Sequence, residues 1–281
     1  MNRNGSQVKV LVSEPSPRHT HNGSPRWSND GSMIAFDSIV PGTDWRLSKL
    51  FVIGVSGPFT GHVVDLGYGL TPSWSPDCSQ IAFMLHPGNP DGLPGGIWIM
   101  NSDGTEKKFL AEGSIPHWSP QGDLIACTDG FSAHRRVSII DVRTGVKRPI
   151  LDGGETTPSR LAWSPSGDKI AFVYANEKKQ ESIRIVDLHD PVESSLTLWQ
   201  HDDSRYPPDL RWPAWSPDGL QMIVQLGPGA GYGRGLYSLS AQVPSAPIRL
   251  RESDLRSQYC EAAWSPDSNQ IVFISEQTQQ E

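Results

Sequence analysis

The chain lacks most of the features that would give it a catalytic or membrane identity. Its three cysteines, Cys78, Cys127 and Cys260, are far apart, odd in number and without metal-ligand spacing. That pattern excludes a disulfide scaffold and a cysteine-based zinc site, and leaves Cys127, inside an apolar run, as a buried thiol. No apolar stretch approaches the roughly 20 residues that cross a bilayer as a helix. No secretory leader is visible: Met1 to Gly5 is polar and Val8 to Val12 is too short for a signal core. As written the sequence suits the cytoplasm; an upstream export signal would place the protein in the periplasm or cell envelope. Dense basic tracts are also missing. Arg135-Arg136 and Lys178-Lys179 are short pairs in a chain of net charge −7, so nucleic acid is not an expected partner.

Catalytic signatures are equally scarce. There is no Gly-x-Ser-x-Gly elbow, Gly-x-Gly-x-x-Gly turn or phosphate loop. The glycine-rich Gly229-Ala230-Gly231-Tyr232-Gly233 has neither the strand-to-helix setting nor the following lysine that phosphate binding needs. The eight histidines are scattered. His19 and His21 form the one close pair, and His201 precedes Asp202 and Asp203, whose side chains alternate in direction on an extended chain. No cofactor is expected; a calcium ion held by loop carboxylates lacks a regular calcium loop to support it.

Glycine and proline are abundant, at 27 and 24 of 281 residues, which suits short strands and tight turns. The dominant feature is a Trp-Ser turn repeated six times, at Trp27, Trp74, Trp118, Trp163, Trp215 and Trp264, with steps of 44 to 52 residues. That period is the length of one four-stranded propeller blade. Each turn leads into an apolar strand: Ile34-Ala35-Phe36, Ile81-Ala82-Phe83, Ile125-Ala126-Cys127, Ile170-Ala171-Phe172, Met222-Ile223-Val224 and Ile271-Val272-Phe273. In the turn, serine accepts a backbone N–H, proline fixes φ, and glycine takes a positive φ. Cys78 and Ser268 stand at the glycine position, so their turns carry about 1 kcal/mol of strain if the geometry is shared.

These signals predict an all-β, six-bladed β-propeller over 1–281. Its blade cores lie near 24–66, 71–111, 115–151, 160–199, 212–250 and 261–275. The last blade is shared between the chain ends, with 7–12 as its fourth strand, and it is incomplete because a third strand is missing. The six tryptophans are expected to fill equivalent spaces between blades. Trp98 belongs to a third strand and the core, whereas Trp45 and Trp212 fall at loops.

The units resemble the WD40-like PD40 repeat of the TolB β-propeller family. The likeness rests on Trp74-Ser75-Pro76-Asp77, Ile81-Ala82-Phe83 and the run Ile97-Trp98-Ile99-Met100-Asn101-Ser102-Asp103-Gly104-Thr105, and six cores extend it over nearly the whole chain. The resemblance implies a scaffold that binds other proteins across one propeller face; related propellers also sit beside peptidase domains or on signalling proteins. A separate N-terminal α/β domain like that of TolB is not present in this sequence, so a complete Tol-system role is not expected.

Antiparallel order places the loops between second and third strands on the same rim as the connections between blades, with the Trp-Ser turns on the opposite rim. Recognition is expected on the loop rim. Residues preceding the repeat tryptophans, namely Arg26, His117, Arg160, Arg211 and Glu261, are expected near a central channel, where arginine would receive a carboxylate through two donors. Tyr206, Tyr232 and Tyr259, with Tyr68, are read as loop tyrosines able to anchor an interface. The expected function is a non-catalytic protein- or peptide-binding propeller engaging an acidic group. The alternatives are a metal-assisted carbohydrate lyase or hydrolase on the same rim, and a regulatory propeller of a longer enzyme or signalling protein.

Overall fold

The computed structural model describes residues 10–12, 21–129, 136–151, 159–175, 180–189, 196–200, 210–227, 235–252 and 257–277. All regular structure there is β apart from two short 3-10 turns. The first sheet contains β1 (His21–Trp27), β2 (Met33–Ile39), β3 (Lys49–Gly54) and β4 (Val63–Tyr68). The second contains β5 (Leu70–Trp74), β6 (Gln80–Leu85), β7 (Gly96–Asn101) and β8 (Lys108–Ala111). The third has β9 (Ser114–Trp118), β10 (Leu124–Thr128), β11 (Val137–Asp141) and β12 (Lys147–Leu151). The fourth has β13 (Ser159–Trp163), β14 (Lys169–Ala175), β15 (Glu181–Asp187) and β16 (Leu196–Gln200). The fifth has β17 (Arg211–Trp215), β18 (Gln221–Leu226), β19 (Gly235–Ser240) and β20 (Ile248–Glu252). Finally, β21 (Ser257–Trp264) and β22 (Ile271–Gln277) form a two-stranded sheet.

Five four-stranded blades are therefore present, not six. The strands β21 and β22 pair with each other over Ser257↔Gln277 to Trp264↔Ile271, and no described strand extends their sheet. Of the segment 7–12 expected as the fourth strand of that blade, residues 10–12 carry no strand, with Val10 72% and Leu11 39% exposed; residues 7–9 lie outside the described residues. The physical reason is the ladder. In up-and-down order a fourth strand bonds only to a third, and no third strand is described beside β22 for 10–12 to join.

Two compact units divide the chain. The first comprises Val8–Phe131 and Ser138–Pro149, the second Met1–Gln7, Ser132–Val137 and Ile150–Glu281. Within the first unit β1 packs against β5 and β5 against β9; within the second, β13 packs against β17 and β17 against β21. First strands thus lie innermost in each stack. Second and third strands are almost wholly buried, as in Gln80–Leu85 and Gly96–Asn101. Fourth strands such as Val63–Tyr68 and Lys108–Ala111 are more exposed than the strands inside them, as outer edges should be.

The turns share one geometry. The turn serine accepts the N–H five residues on, at 2.8–3.1 Å, in all six. In four turns the serine hydroxyl donates to the aspartate two positions on: Asp30, Asp77, Asp218 and Asp267. Where Gln121 and Ser166 replace that aspartate, Asp123 and Asp168, two residues later, receive the serine hydroxyl instead. Cys78 and Ser268 adopt φ 61° and 59°, close to Gly31 at 70° and Gly219 at 70°, so those two turns do bear the expected strain.

Trp74, Trp118, Trp163 and Trp264 are 6–9% exposed, while Trp27 and Trp215 are half-buried. Trp98 is buried and Trp45, at 43% exposure, is a surface residue. Trp212 belongs to β17 rather than to a loop.

Candidate functional site

Every first strand is interrupted by a bulge. In β1 the register shifts between Gly23 and Arg26, in β5 between Leu70 and Ser73, and in β9 between Ser114 and His117, opposite Thr128 and Ala126. One non-glycine residue in each bulge takes a left-handed conformation: Ser24 at φ 47°, Thr71 at 50° and Ile115 at 54°. Such a residue costs about 1–2 kcal/mol, more awkwardly when β-branched. All three stand three residues before the repeat tryptophan.

Asp37, on β2, binds two of these bulges together. Its Oδ2 accepts the Thr71 N–H at 2.8 Å, and its carboxylate also accepts from Ser24. The bulge turns the Thr71 amide out of the ladder, and the carboxylate gives it a partner. The cradle is tight: a Cβ on Gly23 would fall 2.5 Å from Asp37 Oδ1. Burial raises the Asp37 pKa above its ordinary value, opposed by these hydrogen bonds and by the Arg26 charge.

Arg26 and His117 both occupy the position just before a repeat tryptophan, opposite Ala35 and Ala126. Arg26 is half-buried, and its guanidinium donates to Pro25 O at 2.9 Å. The His117 Nε2 is buried. Burial, helped by the Arg26 charge, pushes its pKa down to about 3, so the imidazole is neutral at pH 7. Ser73 fills the same position in the blade between, and its hydroxyl accepts the Trp118 N–H at 2.9 Å. The Trp74 indole donates to Arg26 O at 3.2 Å. The row Arg26, Ser73, His117 is therefore knitted across three blades of the first unit.

Two loops of the same unit are tied by side-chain contacts. Asn89 holds the loop after β6 through its side-chain amide, which donates to His86 O at 2.9 Å and Leu93 O at 2.8 Å. The His86 ring meets Trp45, from the loop after β2, edge to face at 3.9 Å between centroids.

The remaining residues expected at the channel do not share this position. Arg160 lies inside the bulge of β13, between Ser159 and Ala162. Arg211 precedes the bulge of β17, opposite Gln225, and Glu261 lies inside that of β21. The side chains of these three are outside the described residues. So are Tyr206 and Tyr232 altogether, while Tyr259 is in β21 opposite Ser275 rather than in a loop. The sequence reading missed Ser73, Asp37 and the bulge residues. Aligning the blades on tryptophan exposes Ser73 beside Arg26 and His117; the bulges carry no glycine to announce them.

The chain matches no protein-family model. It is 26% identical over 149 residues to YuxL, an uncharacterised peptidase of Bacillus subtilis, covering 53% of this chain and 21% of that protein. It is 26% identical over 179 residues to an uncharacterised protein of Agrobacterium fabrum, covering 58% of this chain and 57% of that one. The chain thus spans about a fifth of the first relative and somewhat over half of the second. Among solved structures, a protein assigned as TolB from Agrobacterium tumefaciens superimposes with TM-score 0.70 at 18% identity, over 97% of this chain and 96% of that one. TolB from Acinetobacter baumannii gives 0.66 at 19% identity, over 87% and 58%.

The fold is a TolB-like β-propeller. In this TolB-like chain no group of three or more His, Cys, Asp or Glu is placed to hold a metal among the described residues. No described helix is long and apolar enough to cross a membrane. His19, His201, Asp202 and Asp203 lie outside the described residues, as does the side chain of His21.

Proposed function

We propose that this chain is a non-catalytic propeller that binds a protein or peptide through an acidic group, with Arg26 as the receiving cation. The observation that carries the reading is the polar row Arg26, Ser73 and His117, set on innermost strands and braced by Asp37. A guanidinium offers a carboxylate two parallel donors. Its backbone is fixed by the Trp74 indole, so little ordering is needed on binding. Neutral His117 adds ring surface without a competing charge. Arg160 and Arg211, on first strands of the second unit, are separate candidates, as are Tyr206, Tyr232, Tyr259 and Glu261.

The test is a calorimetric titration with a peptide ending in Glu-Glu, against the same peptide ending in Gln-Gln amide. The acidic peptide should bind the full chain, and Arg26→Gln should weaken it tenfold or more, about 1.4 kcal/mol, with an unchanged melting temperature. Equal binding of both peptides, or an unaffected Arg26→Gln variant, overturns the assignment.

A further inference from the structure

Among the described residues Asp37 is the one buried acid. It stands on β2 opposite Gly23, two residues from Ala35, the cross-strand partner of Arg26. Side chains two apart on a strand share a face, and diagonal cross-strand neighbours are within reach of a long side chain. The Arg26 guanidinium and the Asp37 carboxylate therefore belong to the same face of the first sheet.

The carboxylate is fixed in that place. Gly23 leaves it room, Thr71 donates to Oδ2 from β5 at 2.8 Å, and Ser24 donates from β1. Few charged groups surround it. The second-sheet strand β5, from Leu70 to Trp74, carries none. On β3, Leu50 stands opposite Asp37; Lys49 stands opposite Ser38, on the other face, and is bound to Asp65 at 2.8 Å. On β9, His117 also feels the Arg26 charge, but with its pKa near 3 it stays neutral well into acid. On β1, His21 stands opposite Ile39. Arg26 is the cation that acts on the Asp37 carboxylate, and burial works against it.

We propose, resting on Arg26 as the receiving cation, that Asp37 makes recognition proton-coupled: when a ligand carboxylate pairs with Arg26, Asp37 takes up a proton. Two carboxylates around one guanidinium repel each other, and the buried one, held away from water, is the one that gives up its charge. A neutral carboxyl still accepts the Thr71 N–H through its carbonyl oxygen, so the brace between the two bulges survives the change. Ligand and proton then raise each other's affinity by the same factor. The site holds acidic groups more tightly as the solution becomes more acidic. An arginine without such a neighbour would bind a carboxylate equally well across that range, because the guanidinium stays charged.

The experiment is calorimetry of the full chain with the acetylated Glu-Glu peptide between about pH 5.5 and pH 9, where the peptide's own carboxylates stay charged. Each pH is run in two buffers of different ionisation enthalpy, which reports protons taken up on binding. The wild-type chain should take up a proton, and its affinity should fall at least threefold from the acid to the alkaline end. Asp37→Asn should bind without proton uptake, with an affinity flat in pH and at least threefold tighter than wild type at the alkaline end. His21→Gln should behave as wild type. Without peptide, the Asp37 side-chain carboxyl carbon should titrate at higher pH in Arg26→Gln than in wild type. Binding that depends on Arg26 but takes up no proton leaves the acidic-group reading standing and overturns this one. Equal uptake by Asp37→Asn, uptake lost in His21→Gln, or an Asp37 titration unmoved by Arg26→Gln does the same. No binding by any of these chains sinks both.

Discussion

The same repeat is used differently in the two units. Just before the repeat tryptophan the first unit carries Arg26, Ser73 and His117, whereas the second carries Ala162, Ala214 and Ala263. The turn framework is common to both, with the serine accepting the same N–H everywhere. Polar chemistry on the inner strands at this position is thus concentrated in one unit. The second unit has small side chains there and an open cavity at its turns. The scaffold tolerates this because its stability rests on the turns and the buried second and third strands, not on the residue before tryptophan.

The largest effect that tests this contrast is on packing. Trp118→Ala in the first unit, at 8% exposure, should cost about 3–5 kcal/mol in a denaturant titration. Half-buried Trp215→Ala should cost visibly less. The conservative pair is sharper: Trp74→Phe loses a hydrogen bond and should cost about 1 kcal/mol, while Trp215→Phe loses none and should be near neutral.

Next comes pH. His117 has its pKa lowered from 6.5 to about 3. A depressed folded pKa makes the contribution complete above pH 6.5 and lost as pH falls towards 3, at up to about 1.4 kcal/mol per pH unit. His117→Asn should flatten stability over that window. Asp37 has the opposite sign: its raised pKa favours folding below the ordinary value of 3.8, and that contribution is lost as pH rises through the folded value. Asp37→Asn, which keeps an acceptor for Thr71, should therefore be tolerated at pH 7. Asp37→Ala strands the Thr71 N–H and should cost about 1–3 kcal/mol. The turn carboxylates Asp30, Asp77 and Asp267, lowered chiefly by their serine hydrogen bonds, give both units a common loss of stability as pH falls below about 4.

A smaller effect compares two turns. Cys78→Gly should stabilise by about 0.5–1 kcal/mol by relieving a left-handed side chain. Ser268→Gly should gain less, because the Ser268 hydroxyl accepts the Asp218 N–H at 3.2 Å. The smallest is chemical: Cys127, buried and with its pKa pushed up to about 12, should react with a thiol reagent far more slowly than half-buried Cys78.

What was legible follows from locality. The turn chemistry is written in four or five adjacent residues, so the turn serine, the positive φ at Cys78 and Ser268 and the apolar second strands could all be read directly. The missing blade was not legible, because an apolar run such as Val10-Leu11-Val12 becomes a strand only if a partner ladder reaches it. The shared repeat position was partly legible. Arg26 and His117 do occupy equivalent places before their tryptophans, but grouping them with Arg160, Arg211 and Glu261 ignored the bulge that separates these positions. Nothing in Ser24, Thr71 or Ile115 announces a left-handed backbone. Asp37, 34 residues from Thr71 in sequence, becomes a brace only when two blades meet.

The most direct measurement is backbone amide shift mapping on the full chain with the Glu-Glu peptide. The account predicts shifts at Arg26, Ser73 and His117 and their strand neighbours, with Ala162, Ala214 and Ala263 unmoved. Shifts centred on the alanine row, or none near Arg26, would contradict it.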